Sequence, residues 1–242
     1  MATAKPTHSF KTPCEQCPLR PLPHFREFSR DELDFVSRFK RGELAVDAGA
    51  TILVERVEQI VRFDYRRDGL LARGQPVNVP PDFKTLTYNK SLECVAAPQQ
   101  GPLAGELIAV SEHSLDAAGN LRSFVLGTNH VTRFSVKRTD EFDVSDCTIL
   151  PPDDLLLLER RFSFVRGIAI RIRRVPLSSL MEGAVVDGRT IVEADLAFEI
   201  DNMEGISIHR TTGGETIITI VSDDNFSVLQ RNLLLQFAIV GG

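Results

Sequence analysis

The sequence predicts a mainly β fold of repeated strand units, an open, partial β-propeller of about three to four blades, preceded by a short segment with one helix at about 30–41. Three observations carry this. From residue 55 onward, helix signals nearly vanish and short apolar segments are divided by Pro, Gly, Asp and Asn. Those segments recur in the same order, with matched acids 53 and 58 residues apart. The closing segment of each unit alternates apolar and polar residues, as a strand with one wet face should.

Residues 1–54 come first and have another character. They carry eight basic and seven acidic residues, which leaves a net charge of −6 for the remainder. The leader is rich in proline (Pro6, Pro13, Pro18, Pro21, Pro23), which excludes regular helix or central strand. Cys14 and Cys17 form a C-x2-C pair, but two ligands do not close a tetrahedral metal site, so they read as thiols of a mobile leader. Ser29 with Glu32 makes a capping box, Phe28 and Leu33 a hydrophobic staple, and Gly42 a stop, which brackets the one helix. Residues 50–54 then read as a short strand after Gly49.

The repeat proper has three phrases. The first is an acid followed by small or apolar residues, at Glu93, Asp146 and Glu204. The second is an apolar strand ending in an acid, at Glu112, Glu159 and Asp223, with Glu55 as an earlier copy. The third is the alternating strand, as in His130–Val136, Ile168–Val175 and Leu233–Ile239. In a propeller, residues at one phase of the repeat converge near the axis, so these acids are expected to form two rings. A sandwich has no reason to repeat an acid in this way.

Clustered carboxylates need cations to offset their repulsion. Hard oxygen ligands without a matching His or Cys set suit Ca²⁺, with Glu93, Asp146, Asp201 and Asp224 as the metal set. The densest polar cluster joins residues 201–204 to residues 223–227, and it is the expected site. There Glu204 and Asp223, with Glu159 and Arg160, are the expected catalytic groups. Arg171, Asn202, Asn225 and Glu112 are expected to bind substrate. For each single acid the bland alternative is a turn cap bonded to backbone N–H groups. His209 reads as a strand residue facing solvent, and Arg173 and Arg174 as charges on an outer strand face.

Composition sets further limits. The chain has 242 residues, 43% apolar and 25% charged, with a net charge of −5, enough for a sizeable core and without a basic field for nucleic acid. No apolar run approaches the roughly 18 residues of a membrane helix, and the first residues lack the apolar core of a secretion signal. The sequence as written therefore reads as cytoplasmic. Four cysteines are too few and too scattered for a disulfide scaffold of this size. No phosphate loop, nucleophile elbow or H-E-x-x-H motif occurs.

Two resemblances follow from particular residues. Glu55–Phe63, Asn89–Ala96, Phe142–Asp146, Leu155–Ser163, Ile200–Gly205 and Ile220–Ser227 together resemble the esterase-like phytase domain family. That resemblance implies a β-propeller hydrolase of ester or phosphate-ester bonds, with carboxylates at the channel mouth, calcium by looser analogy, and a small-molecule substrate. Members of that family usually carry an export signal and earlier blades. Residues 14–54, through Cys14–Arg20, Phe25–Phe28, Glu32-Leu33 and Gly49–Leu53, resemble the start of a cyclic-AMP receptor/fumarate-nitrate regulator. No helix-turn-helix accompanies it, so DNA reading is not expected. The chain thus reads as a fusion, 1–54 and 55–242. The alternatives are a non-catalytic propeller module or a remnant of a redox regulator, and an enzyme is one reading among these. Open blade edges are expected to favour self-association.

Overall fold

The computed structural model describes residues 51–54, 59–63, 74–87, 90–163, 167–225, 227 and 230–240. The leader, the expected helix, Cys14, Cys17 and Glu55 lie outside these residues. Two compact units divide the chain, one of Met1–Ala50 with Arg62–Gln75 and one of Thr51–Val61 with Pro76–Gly242. The second carries nearly all the described structure.

The described residues are mainly β, in four sheets. The first holds β1 (Thr51–Val54), β2 (Gln59–Arg62) and β3 (Gln75–Pro76). The second contains β4 (Leu92–Ala96), β5 (Leu107–Leu115), β6 (Leu121–Leu126) and β7 (Val131–Val136), each antiparallel to the next. A third contains β8 (Asp143–Leu150), β9 (Asp154–Ser163), β10 (Gly167–Pro176) and β12 (Arg189–Asp195). The last contains β13 (Met203–Arg210), β14 (Thr216–Ser222) and β15 (Leu234–Ala238). Between β10 and β12 the chain crosses to the second sheet, where β11 (Val185–Val186) pairs parallel with β7 and covers its edge.

Each of the last three sheets is entered through its first strand, and β8 packs between β4 and β13. The arrangement is propeller-like and open. Leu155–Leu158 shows why the sheets stack. Leu155 and Leu157 belong to the apolar cluster shared with the second sheet. Leu156 and Leu158 belong to the cluster shared with the fourth. A period of two sends neighbours to opposite faces, so a strand buried on both faces reads as an unbroken apolar run. A third cluster packs Ile60, Phe83, Leu86 and Phe124 over the far face of the second sheet.

Turns are set by local side chains. In the β5–β6 hairpin, Asp116 Oδ1 accepts the N–H groups of Ala118 and Asn120, and Gly119 takes the positive φ of 84° that the turn requires.

Two described cysteines are paired, a bond that the sequence reading did not anticipate. Cys94 on β4 and Cys147 on β8 form a disulfide across the seam between two sheets. They are separated by 53 residues, the spacing of the Glu93 and Asp146 phrases, and that coincidence was the available signal. A correction concerns Arg173, expected on a wet outer face. Its side chain is buried and donates to both oxygens of Glu159.

Candidate functional site

The first strand of each of the three later sheets carries the same irregularity. Pairing steps from Leu92–Ser111 to Cys94–Val110, from Val144–Glu159 to Asp146–Leu158, and from Met203–Ser222 to Gly205–Val221. One residue is therefore extra in each: Glu93, Ser145 and Glu204. Such a bulge re-aims the side chains beside it. The structural phase thus groups Glu93 with Ser145 and Glu204, and Asp146 with Cys94 and Gly205. The sequence phrase had placed Asp146 with the two glutamates, one residue out of step.

The same shift separates the second set of acids. Glu112 N–H donates to the Ser91 carbonyl and Asp223 N–H to the Asn202 carbonyl, and in the third sheet the matching pair is Arg160 with Asp143. Arg160 thus stands where Glu112 and Asp223 stand in their own sheets. Glu159, one residue earlier, points to the opposite face.

That phase builds a pocket of about 330 Å³ at the start of the inner strands, lined by Lys90, Glu112, Asp143, Arg160, Arg161 and Asn202, with Phe162, Ile168 and Gln230. Arg160 is its centre. Its Nη1 donates to Asn202 Oδ1 at 2.5 Å and to Glu204 Oε1, and its Nη2 lies 3.5 Å from Glu112 Oε1. Asn202 Nδ2 also donates to Glu204 Oε1 at 2.6 Å. Lys90 Nζ lies 3.8 Å from Glu112 Oε1. Among the described residues both cations meet Glu112 through Oε1. Asp143 Oδ1 takes His113 Nδ1 at 2.8 Å and Arg138 Nε at 2.7 Å. Neither His113 nor Arg138 stood out in the sequence.

The other expected site residues lie apart from this pocket. Glu159 is fully buried, held by Arg171 Nε at 2.8 Å and by Arg173 at 2.6 and 2.7 Å. Arg171 is buried too, bonded to Thr139 and stacked 4.3 Å from the Phe142 ring. Asp201 is buried and accepts the N–H groups of Asn202 and Arg231, which anchors the approach to β15. Asp223 Oδ1 accepts from Asn225 N–H as a turn cap, and Asp224 Oδ2 accepts from the Asn232 side-chain Nδ2. Glu93 occupies the β4 bulge.

Asp146 spans a seam. Its Oδ2 accepts Ile206 N–H at 2.7 Å, and burial pushes its carboxyl up to about 6 against the lowering of that bond. Ser145 Oγ donates to the Met203 carbonyl at 2.9 Å along the same seam.

Among the described residues, no group of three or more His, Cys, Asp or Glu side chains is arranged to hold a cation. Glu112 and Glu204 are bridged instead by the Arg160 guanidinium. Glu93, Asp146, Asp201 and Asp224, the expected metal set, do not come together as such a group among the described residues. Among the described residues no helix is long and apolar enough to cross a membrane.

A family model described as "Phytase-like: Esterase-like activity of phytase" matches residues 43–226. No curated protein matches the chain. Among solved structures, a protein of unknown function from Bacteroides caccae is 8% identical with a TM-score of 0.33, over 77% of this chain and 71% of that one.

Proposed function

The chain belongs to the phytase-like family named for the esterase-like activity of phytase, and from that premise we propose that its Arg160-centred pocket hydrolyses an ester of a small molecule. The observation that supports this most is the juxtaposition in one cavity of carboxylates and cations from the second and third sheets, with Asn202 and Gln230 beside the fourth. Glu112 accepts a proton from water as the water oxygen attacks the ester carbon. Lys90 and Arg160 stabilise the charge that develops on the ester oxygen. The carbon–oxygen bond to the alcohol then breaks, the alcohol leaves with the proton held by Glu112, and the acid remains. Glu204 and Asn202 act through Arg160, fixing its plane. No step is routed through calcium.

A second reading has its own support. Arg160 is engaged by Asn202, Glu204 and Glu112 at once, as a brace between sheets would be. In that reading the domain binds or scaffolds without turnover. Purified protein assayed on p-nitrophenyl acetate, p-nitrophenyl phosphate and phytate separates the two. Turnover lost in a Glu112→Gln variant of unchanged fold supports the hydrolase, and no turnover on any of them supports the scaffold.

The Cys94–Cys147 disulfide supports an oxidising compartment as the place of action, in place of the cytoplasm. Exposed Leu234 on β15, the edge strand of the fourth sheet, supports self-association through that edge.

A further inference from the structure

We infer that the substrate of this pocket is a carboxylic ester of a neutral polyol, such as an acylated sugar, whose free hydroxyls are recognised by Asp143, Gln230 and Lys90. The inference rests on the hydrolase reading for its chemistry, but recognition can be measured without turnover.

Charge excludes one class of ester. Lys90 and Arg160 line the pocket against Glu112 and Asp143. Behind them Glu204 is paired with Arg160 and Arg138 with Asp143, so the second row balances too. Arg161 also lines the cavity, but alternation along β9 sends its guanidinium to the other face, 4.7 Å from the buried Phe142 ring. With histidine counted as neutral, the site carries no net charge. Each phosphate monoester brings about −1.5 to −2 near neutrality. A polyphosphate would set acceptor oxygens against two carboxylates with no surplus cation to offset them.

The wall excludes a second class. Only Phe162 and Ile168, opposite each other across β9 and β10, are apolar among the lining residues. Two such side chains cannot enclose an aliphatic chain, and the remaining wall would place charged groups against hydrocarbon.

The open hydrogen-bonding groups point to hydroxyls. A hydroxyl both donates and accepts, so neighbouring hydroxyls on a sugar suit a wall that mixes acceptors with donors. Asp143 Oδ1 takes His113 Nδ1 and Arg138 Nε, and Oδ2 has no partner among the described residues. Two bonds to Oδ1 hold that carboxylate in place before a ligand arrives, which lowers the ordering cost of binding. Gln230 Oε1 accepts from Asn225 Nδ2 at 3.4 Å, and Gln230 Nε2 donates to no described residue. Lys90 Nζ is 3.8 Å from Glu112 Oε1, an ion pair too long to occupy one of its donors. An acceptor, an amide donor and an ammonium thus remain open in one lining. Arg160 and Asn202, by contrast, are bonded to each other and to Glu204.

The test pairs 6-acetamido-6-deoxyglucose with N-hexylacetamide, the non-hydrolysed counterparts of 6-O-acetylglucose and hexyl acetate. Calorimetric titration should show the sugar amide binding at least about tenfold more tightly than the hexyl amide, and more tightly than inositol hexakisphosphate. Asp143→Ala and Gln230→Leu should each weaken the sugar amide by about tenfold, with circular dichroism unchanged. Should Asp143→Ala not fold, Lys90→Met reads the same loss from a side chain that is half exposed. Equal or tighter binding of either comparator, no binding of the sugar amide, or indifference to the substitutions overturns the inference. If the sugar amide binds as expected while 6-O-acetylglucose is not cleaved, the hydrolase reading fails and the recognition stands. If hexyl acetate is cleaved as fast as 6-O-acetylglucose, hydrolysis stands and the polyol inference falls.

Discussion

Asp146 Oδ2 accepts the backbone N–H of Ile206 at 2.7 Å, which carries a hydrogen bond from β8 to β13 across the seam between two sheets. The next residue, Cys147, closes the other seam through Cys94. One inner strand is thus fastened on one side by a carboxyl and on the other by a covalent bond.

The carboxyl makes stability depend on pH. Burial raises the folded-state pKa to about 6, above the roughly 4 of an unfolded aspartate. Between those values the folded chain holds a proton that the unfolded chain has lost. This contribution to stability therefore falls as pH rises from about 4 to about 6, by about 3 kcal/mol, and is flat beyond. Asp146→Asn keeps an acceptor for Ile206 and has no charge to bury. Its melting temperature at pH 7 should equal or exceed that of the native chain, and the decline between pH 4 and pH 7 should shrink. A variant as pH-dependent as the native chain would show that Asp146 is not the titrating group.

The disulfide should stabilise by closing a loop in the unfolded chain. For a separation of 53 residues, loop entropy gives about 4 kcal/mol as an upper figure. A Cys94→Ser, Cys147→Ser pair should lower the urea midpoint accordingly, and reductant should do the same to the native chain alone. Equal midpoints for oxidised and reduced protein would remove the bond from the account.

Glu159 should matter for folding and not for turnover. Glu159→Ala leaves Arg171 and Arg173 buried without their anion, at a cost of about 3–5 kcal/mol. Activity per folded molecule should be retained, as judged by active-fraction titration at low temperature. A stable variant with activity lost would return Glu159 to the catalytic set.

Edge exposure predicts association. Size-exclusion chromatography should show dimers or larger species, and a Leu234→Lys variant on the edge strand β15 should run as a monomer, because charge on an edge opposes pairing. A native chain that is monomeric at all concentrations would count against it.

The strand content was legible because apolar phrases and turn residues write it directly. Leu155–Leu158 could be read as a strand, and its burial on two faces explains the unbroken run. The phase of the acids was legible only to within one residue. A bulge adds a residue to pairing without leaving a mark in composition, so Asp146 was aligned with Glu93 where Ser145 belongs. Arg160 at the phase of Glu112 was hidden for a related reason, since a search for repeated acids passes over the position where the repeat changes sign. Arg173 was misplaced because its burial depends on Glu159, a partner on the neighbouring strand. Phe162 carries no local signal, and only the register of β9 against β10 puts it at the cavity.

The most direct test of the central claim is the steady-state rate of ester hydrolysis for the native chain and for Glu112→Gln, both verified as folded. General-base loss predicts a fall in kcat of about a hundredfold or more with KM little changed. Equal kcat values in the two proteins would contradict the assignment of this pocket as a hydrolytic site.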